Sequence, residues 1–289
     1  MSLPRLLSVL CLMIAALAFA AGCGDDDEPA EGDGTTEVAA EDCTADELAT
    51  IEPGTLTVAT DTPAFPPYFI DDDPTNGEGF ESAVAYAIAD ELGFAEKDVE
   101  WVVEPFNSSY APGSKDFDFD VNQISITPKR AEQVDFSTPY YEASQAVVAL
   151  EGTGAADAAN LADVAGTKIG VQIGTTSLEA VEASIQPEQE IQVFDTSNDV
   201  VSALKQGQVD AVVVDVPTAF FLTAVQVPKG EIVGQFSAPG GDQWGALLER
   251  DSQLTGCVSQ AIDALRESGE LAAIEEEWMS AAADAPVLE

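Results

Sequence analysis

Ser125-Ile126-Thr127-Pro128-Lys129-Arg130-Ala131-Glu132-Gln133-Val134-Asp135-Phe136-Ser137-Thr138-Pro139-Tyr140-Tyr141 is the stretch on which the reading of this 289-residue chain turns. An apolar, strand-like run from Phe119 to Ile126 leads into it. Pro128 has a fixed φ and no N–H, which suits the first turn of a helix, and Ser125 and Thr127 offer hydroxyls beside that turn. Arg130 therefore falls at a strand-to-helix corner. Its guanidinium is a rigid fork of donors matched to a carboxylate, and free N–H groups of a helix start also favour an anion. The same spacing fits an exposed basic residue in a first helical turn, and spacing alone leaves both readings open.

SITPKRAEQVDFSTPYY closely resembles the signature of the bacterial extracellular solute-binding proteins, family 3, the polar amino-acid-binding components of ABC importers. The resemblance runs from Gly54 to Met279. It implies an α/β, two-lobe periplasmic-binding-protein-like fold of type II, each lobe a mixed sheet flanked by helices, the two joined by hinge strands. The expected first lobe is discontinuous (43–148 and 237–289), and the second (149–236) is inserted into it.

Acidic residues number 53 against 10 basic, with no histidine, for a formal charge of −43. Such a field repels nucleic acid and anionic headgroups and favours solubility in salt. Residues 1–22 join Arg5 to an apolar core and end at Ala20-Ala21-Gly22-Cys23, a secretory leader with small residues before a cysteine, as in a lipoprotein. Ala20 departs from the leucine usual there. Residues 23–42 read as a disordered acidic tether, so acyl chains on Cys23 are expected to hold the protein at the outer face of the cell membrane. With Cys11 in the leader, Cys43 and Cys257 remain as an even pair in an oxidising compartment. They read as a disulfide, or else as two separate buried thiols.

Along the chain, Thr55–Thr60 reads as a strand ending at Asp61, followed by a proline-rich loop that presents Phe65 and Tyr68. Loops at strand carboxyl ends face the crevice of an open α/β sheet, although each ring could equally cap the core. Phe80 opens an amphipathic helix, read as scaffold, and a short helix is expected over Asp46–Thr50. Phe106 and Tyr110 offer further aromatic wall. Lys115–Asp120 reads as a strand entrance with a solvated face rather than a metal site. Gly174-Thr175-Thr176 precedes a helix over Ser177–Ile185, and Asp215 ends the apolar run Ala211–Val214, either capping a helix or facing the crevice.

The resemblance assigns roles to these positions. It implies that Arg130 binds a ligand α-carboxylate with the N–H groups of Ser125 and Thr176, next to Thr175. It implies that Asp215 pairs with the α-ammonium, helped by the Ser125 hydroxyl and the Gln123 carbonyl. Asp61, Phe65, Tyr68 and Phe106 would line the side-chain pocket, which the Gln123 side chain either narrows or leaves. The expected role is capture of a free amino acid by a monomer and delivery to ABC permease subunits, with no catalytic residues, cofactor or metal. Two alternatives are a cyclohexadienyl or arogenate dehydratase-like enzyme on the same fold, and a binder of a compatible-solute zwitterion.

Overall fold

The computed structural model describes residues 43–280 and 285–289. The expected leader, the lipidated Cys23 and the tether lie outside the described residues.

Short, β-branched and apolar segments build two five-stranded mixed sheets. The first takes β1 (Leu56–Thr60), β2 (Val99–Val103), β3 (Phe119–Asp120) and β4 (Asp135–Glu142). The chain then forms β5 (Gln145–Leu150), β6 (Ile169–Gln172), β7 (Gln192–Phe194), β8 (Ala211–Asp215) and β9 (Gly230–Phe236), which make the second, and returns to the first as β10 (Gln243–Leu248). The strand orders are β2-β1-β3-β10-β4 and β7-β6-β8-β5-β9. In each sheet four strands run in the same direction, and β10, or β5, lies antiparallel to both of its neighbours. All five residues of β1 are buried, as a strand covered on both faces requires.

Helices cover the sheets. α1 (Phe80–Glu91) is followed by two single turns, α2 (Phe106–Ser109) and α3 (Pro128–Ala131). α4 (Leu161–Ala165), α5 (Thr176–Ala180), α6 (Ser197–Lys205) and α7 (Val216–Phe221) flank the second sheet, and α8 (Thr255–Ser268) and α9 (Glu270–Met279) return to the first. Phe80, Val84 and Ile88 of α1 pack with Val258 and Ile262 of α8 and with Trp244, all fully buried, to form the first core. Removing such a side chain typically costs about 2–5 kcal/mol. Cys43 and Cys257 are joined as a disulfide, Cα–Cα 5.3 Å, which pins the segment before β1 to α8.

Several sequence expectations are corrected. The run Phe119–Ile126 is a strand only as far as Asp120, because Gln123 takes a left-handed conformation (φ 50°) that turns the chain out of the ladder. Ser125 returns for a single bridge to Trp244. No helix forms over Asp46–Thr50; the segment is a turn in which Glu47 N and Leu48 N both donate to Thr44 O. Lys115–Asp120 is not a solvated face: Asp118 and Asp120 are buried, and Asp118 accepts from Ile51 N (2.9 Å) and Thr57 N (2.7 Å), tying down the chain before β1. The helix expected over Ser177–Ile185 starts at Thr176 and relaxes to a π turn over Val181–Ile185.

Residues 285–289, expected with the first lobe, lie along β9 of the second sheet. Leu288 N donates to Gln235 O (2.8 Å), Gln235 N donates to Pro286 O (2.6 Å), and Leu288 packs in the core beneath β5 and β6. Edge strand β9 offers unpaired backbone groups and the tail satisfies them. The chain therefore passes between the sheets between β4 and β5, between β9 and β10, and once more toward the tail. The first two passages touch, with Ala143 N donating to Asp242 O at 2.8 Å.

Candidate functional site

A cleft of about 380 Å³ opens where the carboxyl ends of β1, β6 and β8 face one another, the position at which parallel sheets present ligand sites. All the ligand-binding residues expected from the sequence line it except Arg130.

The proline-rich loop is held over the cleft by Gly79, the residue before α1. Its φ of 102° and its contacts admit no side chain, since a Cβ there would stand 2.4 Å from Tyr68 O. Tyr68 serves both of the roles left open for it: its ring is buried edge-on against Trp244, and its hydroxyl reaches Thr218 Oγ1 at 2.8 Å. Phe65 packs against Phe221, pairing an aromatic from the first half of the chain with one from α7. Asp61 accepts from Thr62 N (2.7 Å) and Phe106 N (3.2 Å).

Arg130 sits just behind the wall and is 7% exposed, so it is not a surface base. Thr127 caps α3 by accepting from Arg130 N, which fixes the start of the side chain. The guanidinium lies over the rings of Tyr110 (4.7 Å) and Phe106 (5.5 Å), and donates to Ser125 O (2.7 Å) and Gly174 O (2.9 Å). The last bond joins the two sheets. Gly174 permits it: a Cβ there would stand 2.5 Å from the Tyr110 hydroxyl and 2.7 Å from Asn107 Oδ1, and its φ is 76°. Burial pulls the Arg130 pKa down, against which Tyr110, Asp242, Glu179 and Asp215 act.

The two threonines differ. Thr175 caps α5, its hydroxyl donating to Gln172 O and accepting from Leu178 N. The Thr176 hydroxyl points to Ser125 Oγ (3.1 Å) and donates to Asp242 Oδ2 (3.2 Å). Asp215 stands at the start of α7 without capping it. Its Oδ1 accepts from Gln145 Nε2 (2.8 Å), so the crevice-facing alternative is the one observed.

Gln123 lines the cleft, and its side chain is held by Glu81 rather than turned to solvent. Its backbone N–H donates to Glu81 Oε1 (2.7 Å) and its amide nitrogen to Glu81 Oε2, while Tyr140 donates to the same carboxylate. Glu81 is wholly buried and desolvation pushes its pKa up to about 7 against those three bonds. α1, read from the sequence as scaffold, thus holds the wall residue Gln123 in place.

Sequence reasoning also missed Gln145, Asp242 and Asp195. Asp195 and the amides of Gln172, Asn198 and Gln226 also line the wall. Asp242 is 1% exposed and accepts from Gln145 Nε2 (2.6 Å) and Thr176 Oγ1. The signal for it was the glycine pair Gly240-Gly241 before an acid at a passage between lobes. Among the described residues no acid or cysteine cluster could hold a metal ion.

Two mixed sheets with a polar, aromatic-walled cleft between their strand ends define a capture site for a small solute. The chain belongs to the bacterial extracellular solute-binding proteins, family 3, whose profile matches residues 56–281. It is 30% identical over 235 residues to the L-cystine-binding protein TcyJ of Escherichia coli (strain K12), covering 80% of this chain and 84% of that protein. It is 27% identical over 208 residues to the arginine-binding extracellular protein ArtP of Bacillus subtilis (strain 168), covering 70% and 78%. Among solved structures, an ancestral arginine-binding protein bound to arginine superposes with a TM-score of 0.64 at 32% identity, covering 78% of this chain and 98% of that one.

Proposed function

We propose that this chain captures a free amino acid in its cleft outside the cell and hands it to ABC permease subunits, acting as a binding component rather than a catalyst, from a lipid anchor at Cys23. The observation that carries the reading is the opposed placement of charge: Arg130 on the first sheet's side and Asp215 at the end of β8 on the second. A zwitterion needs one cation and one anion about its own width apart. Two of the guanidinium donors go to Ser125 O and Gly174 O, and others are left for a carboxylate. Asp215 then receives the ammonium, and a ligand touching both favours a closed arrangement of the two lobes.

The cleft wall also favours some side chains over others. The residues lining it include Asp61, Asp195 and Asp215 and no lysine or arginine. A cationic or amide side chain finds partners there, and a carboxylate is repelled. Relatives named for arginine and cystine binding agree with a polar amino acid.

The test is calorimetric titration with arginine, glutamine, cystine and glutamate, repeated with Arg130→Ala. Saturable binding of one of the first three, weaker or no binding of glutamate, and loss in the variant are expected. Binding that survives Arg130→Ala would remove the assignment.

A further inference from the structure

Gln145 sits at the start of β5 and Asp242 just before β10, so they occupy the two touching passages between the sheets. The single amide nitrogen of Gln145 donates to two carboxylates, Asp215 Oδ1 at 2.8 Å and Asp242 Oδ2 at 2.6 Å. Two acids, Asp242 buried and Asp215 at the cleft wall, are thereby gathered on one buried neutral donor. Asp242 Oδ1 and Gln145 Oε1 are both buried and have no hydrogen-bond partner among the described residues. Like charges so close do not both ionise readily, and a shared proton both removes the repulsion and supplies a donor where donors are short.

We propose that Asp242 is a second acid of the amine subsite, and that Asp215 and Asp242 hold one proton between them until a ligand ammonium displaces it. The inference rests on the amino-acid-binding reading given above. The balance is simple: the ligand enters as the ammonium, the shared proton leaves to the buffer, and the pair becomes two carboxylates facing one added positive charge. Gln145 is a positioning residue that keeps the acids in register.

The surroundings agree. Burial raises the pKa of Asp215, with Asp242 the next cause, and burial raises that of Asp242 against hydrogen bonds from Ser125, Gln145 and Thr176. Facing the pair, Arg130 of α3 opposes the shift and Glu81 of α1 reinforces it at Asp215. Tyr68 of the proline-rich loop and Tyr141 of β4 hold their own protons more tightly, chiefly through burial, with the Asp215 charge adding to it at Tyr68 and those of Glu275 and Asp215 at Tyr141. Glu179 and Tyr110 act on Arg130. With no histidine in the chain, carboxylates are the groups available for such an exchange near neutral pH.

The experiment is titration of the full-length chain in detergent with L-arginine near neutral pH, in phosphate and in Tris, whose ionisation heats differ. Proton release makes the observed heat differ between the buffers, and Asp242→Asn, which keeps the shape and the acceptor for Gln145, should abolish that difference. Equal heats in the two buffers for the unaltered chain overturn the proposal while leaving the receptor reading intact. A carboxyl carbon NMR titration of the ligand-free protein reads the pair without any ligand. Two displaced, mutually dependent steps are expected, collapsing to one in Asp242→Asn, and two independent titrations in the ordinary carboxylate range overturn the proposal even if arginine binds. Absence of binding by arginine, glutamine and cystine removes the receptor reading, and the proposal falls with it.

Discussion

Glu81 shows how one side chain joins stability to the site. Its carboxyl ionises at about pH 4.5 when free and at about 7 in the fold, where burial disfavours the charge. A raised folded value means that the stabilisation is complete below the unfolded pKa and is lost as pH rises through the folded one. A shift of this size corresponds to roughly 3 kcal/mol. Glu81→Gln is therefore expected to flatten the fall in stability between about pH 4.5 and 7, and to melt higher than the unaltered protein above that window. Thermal melts across pH check it; parallel curves for the two proteins would contradict it. Glu81 is also where sequence reading ran short, because nothing local distinguishes an acid in the first turn of α1 from a macrodipole partner. Its task is defined by Gln123 and Tyr140, 42 and 59 residues away.

At the scale of elements, the approach of β6 to the aromatic pair Phe106 and Tyr110 depends on Gly174. Gly174→Ala would force a methyl group against the Tyr110 hydroxyl and Asn107 and would strain a left-handed residue. Ligand affinity is expected to fall about tenfold, equivalent to about 1.4 kcal/mol, with a smaller change in melting temperature, since the core of the second sheet lies elsewhere; isothermal titration beside melting curves separates the two effects. The disulfide behaves in the opposite way. It closes a separation of 214 residues within the first core, and neither cysteine lines the cleft. Cys43→Ser with Cys257→Ser should lower stability by up to about 5 kcal/mol in the chain-entropy model and leave amino-acid affinity unchanged. Elements were the level at which the sequence spoke most clearly. Ser125–Tyr141 carries its turn, cap and arginine within one short segment, and Ala211–Asp215 declares a buried parallel strand by composition. The tail along β9 was not legible, because a segment that completes an edge strand has no period of its own.

For the whole molecule the dominant quantity is the formal charge of −43. Self-repulsion of that size opposes compaction and is screened by salt. The melting temperature is expected to rise from low to high sodium chloride, whereas the association rate of a cationic ligand should fall; stopped-flow and melting series over the same salts measure both. A rate indifferent to salt would show that the ligand does not sense the field.

The course of residues 285–289 has a practical consequence. Cys43 is fastened to α8 beside the first sheet, while Leu288 is fastened to the second. Fluorophores attached near these two positions ride on opposite bodies, so energy transfer between them follows the distance between the lobes directly. The chain thus carries two natural attachment points for an optical reporter of its own cargo, with no label inside the cleft.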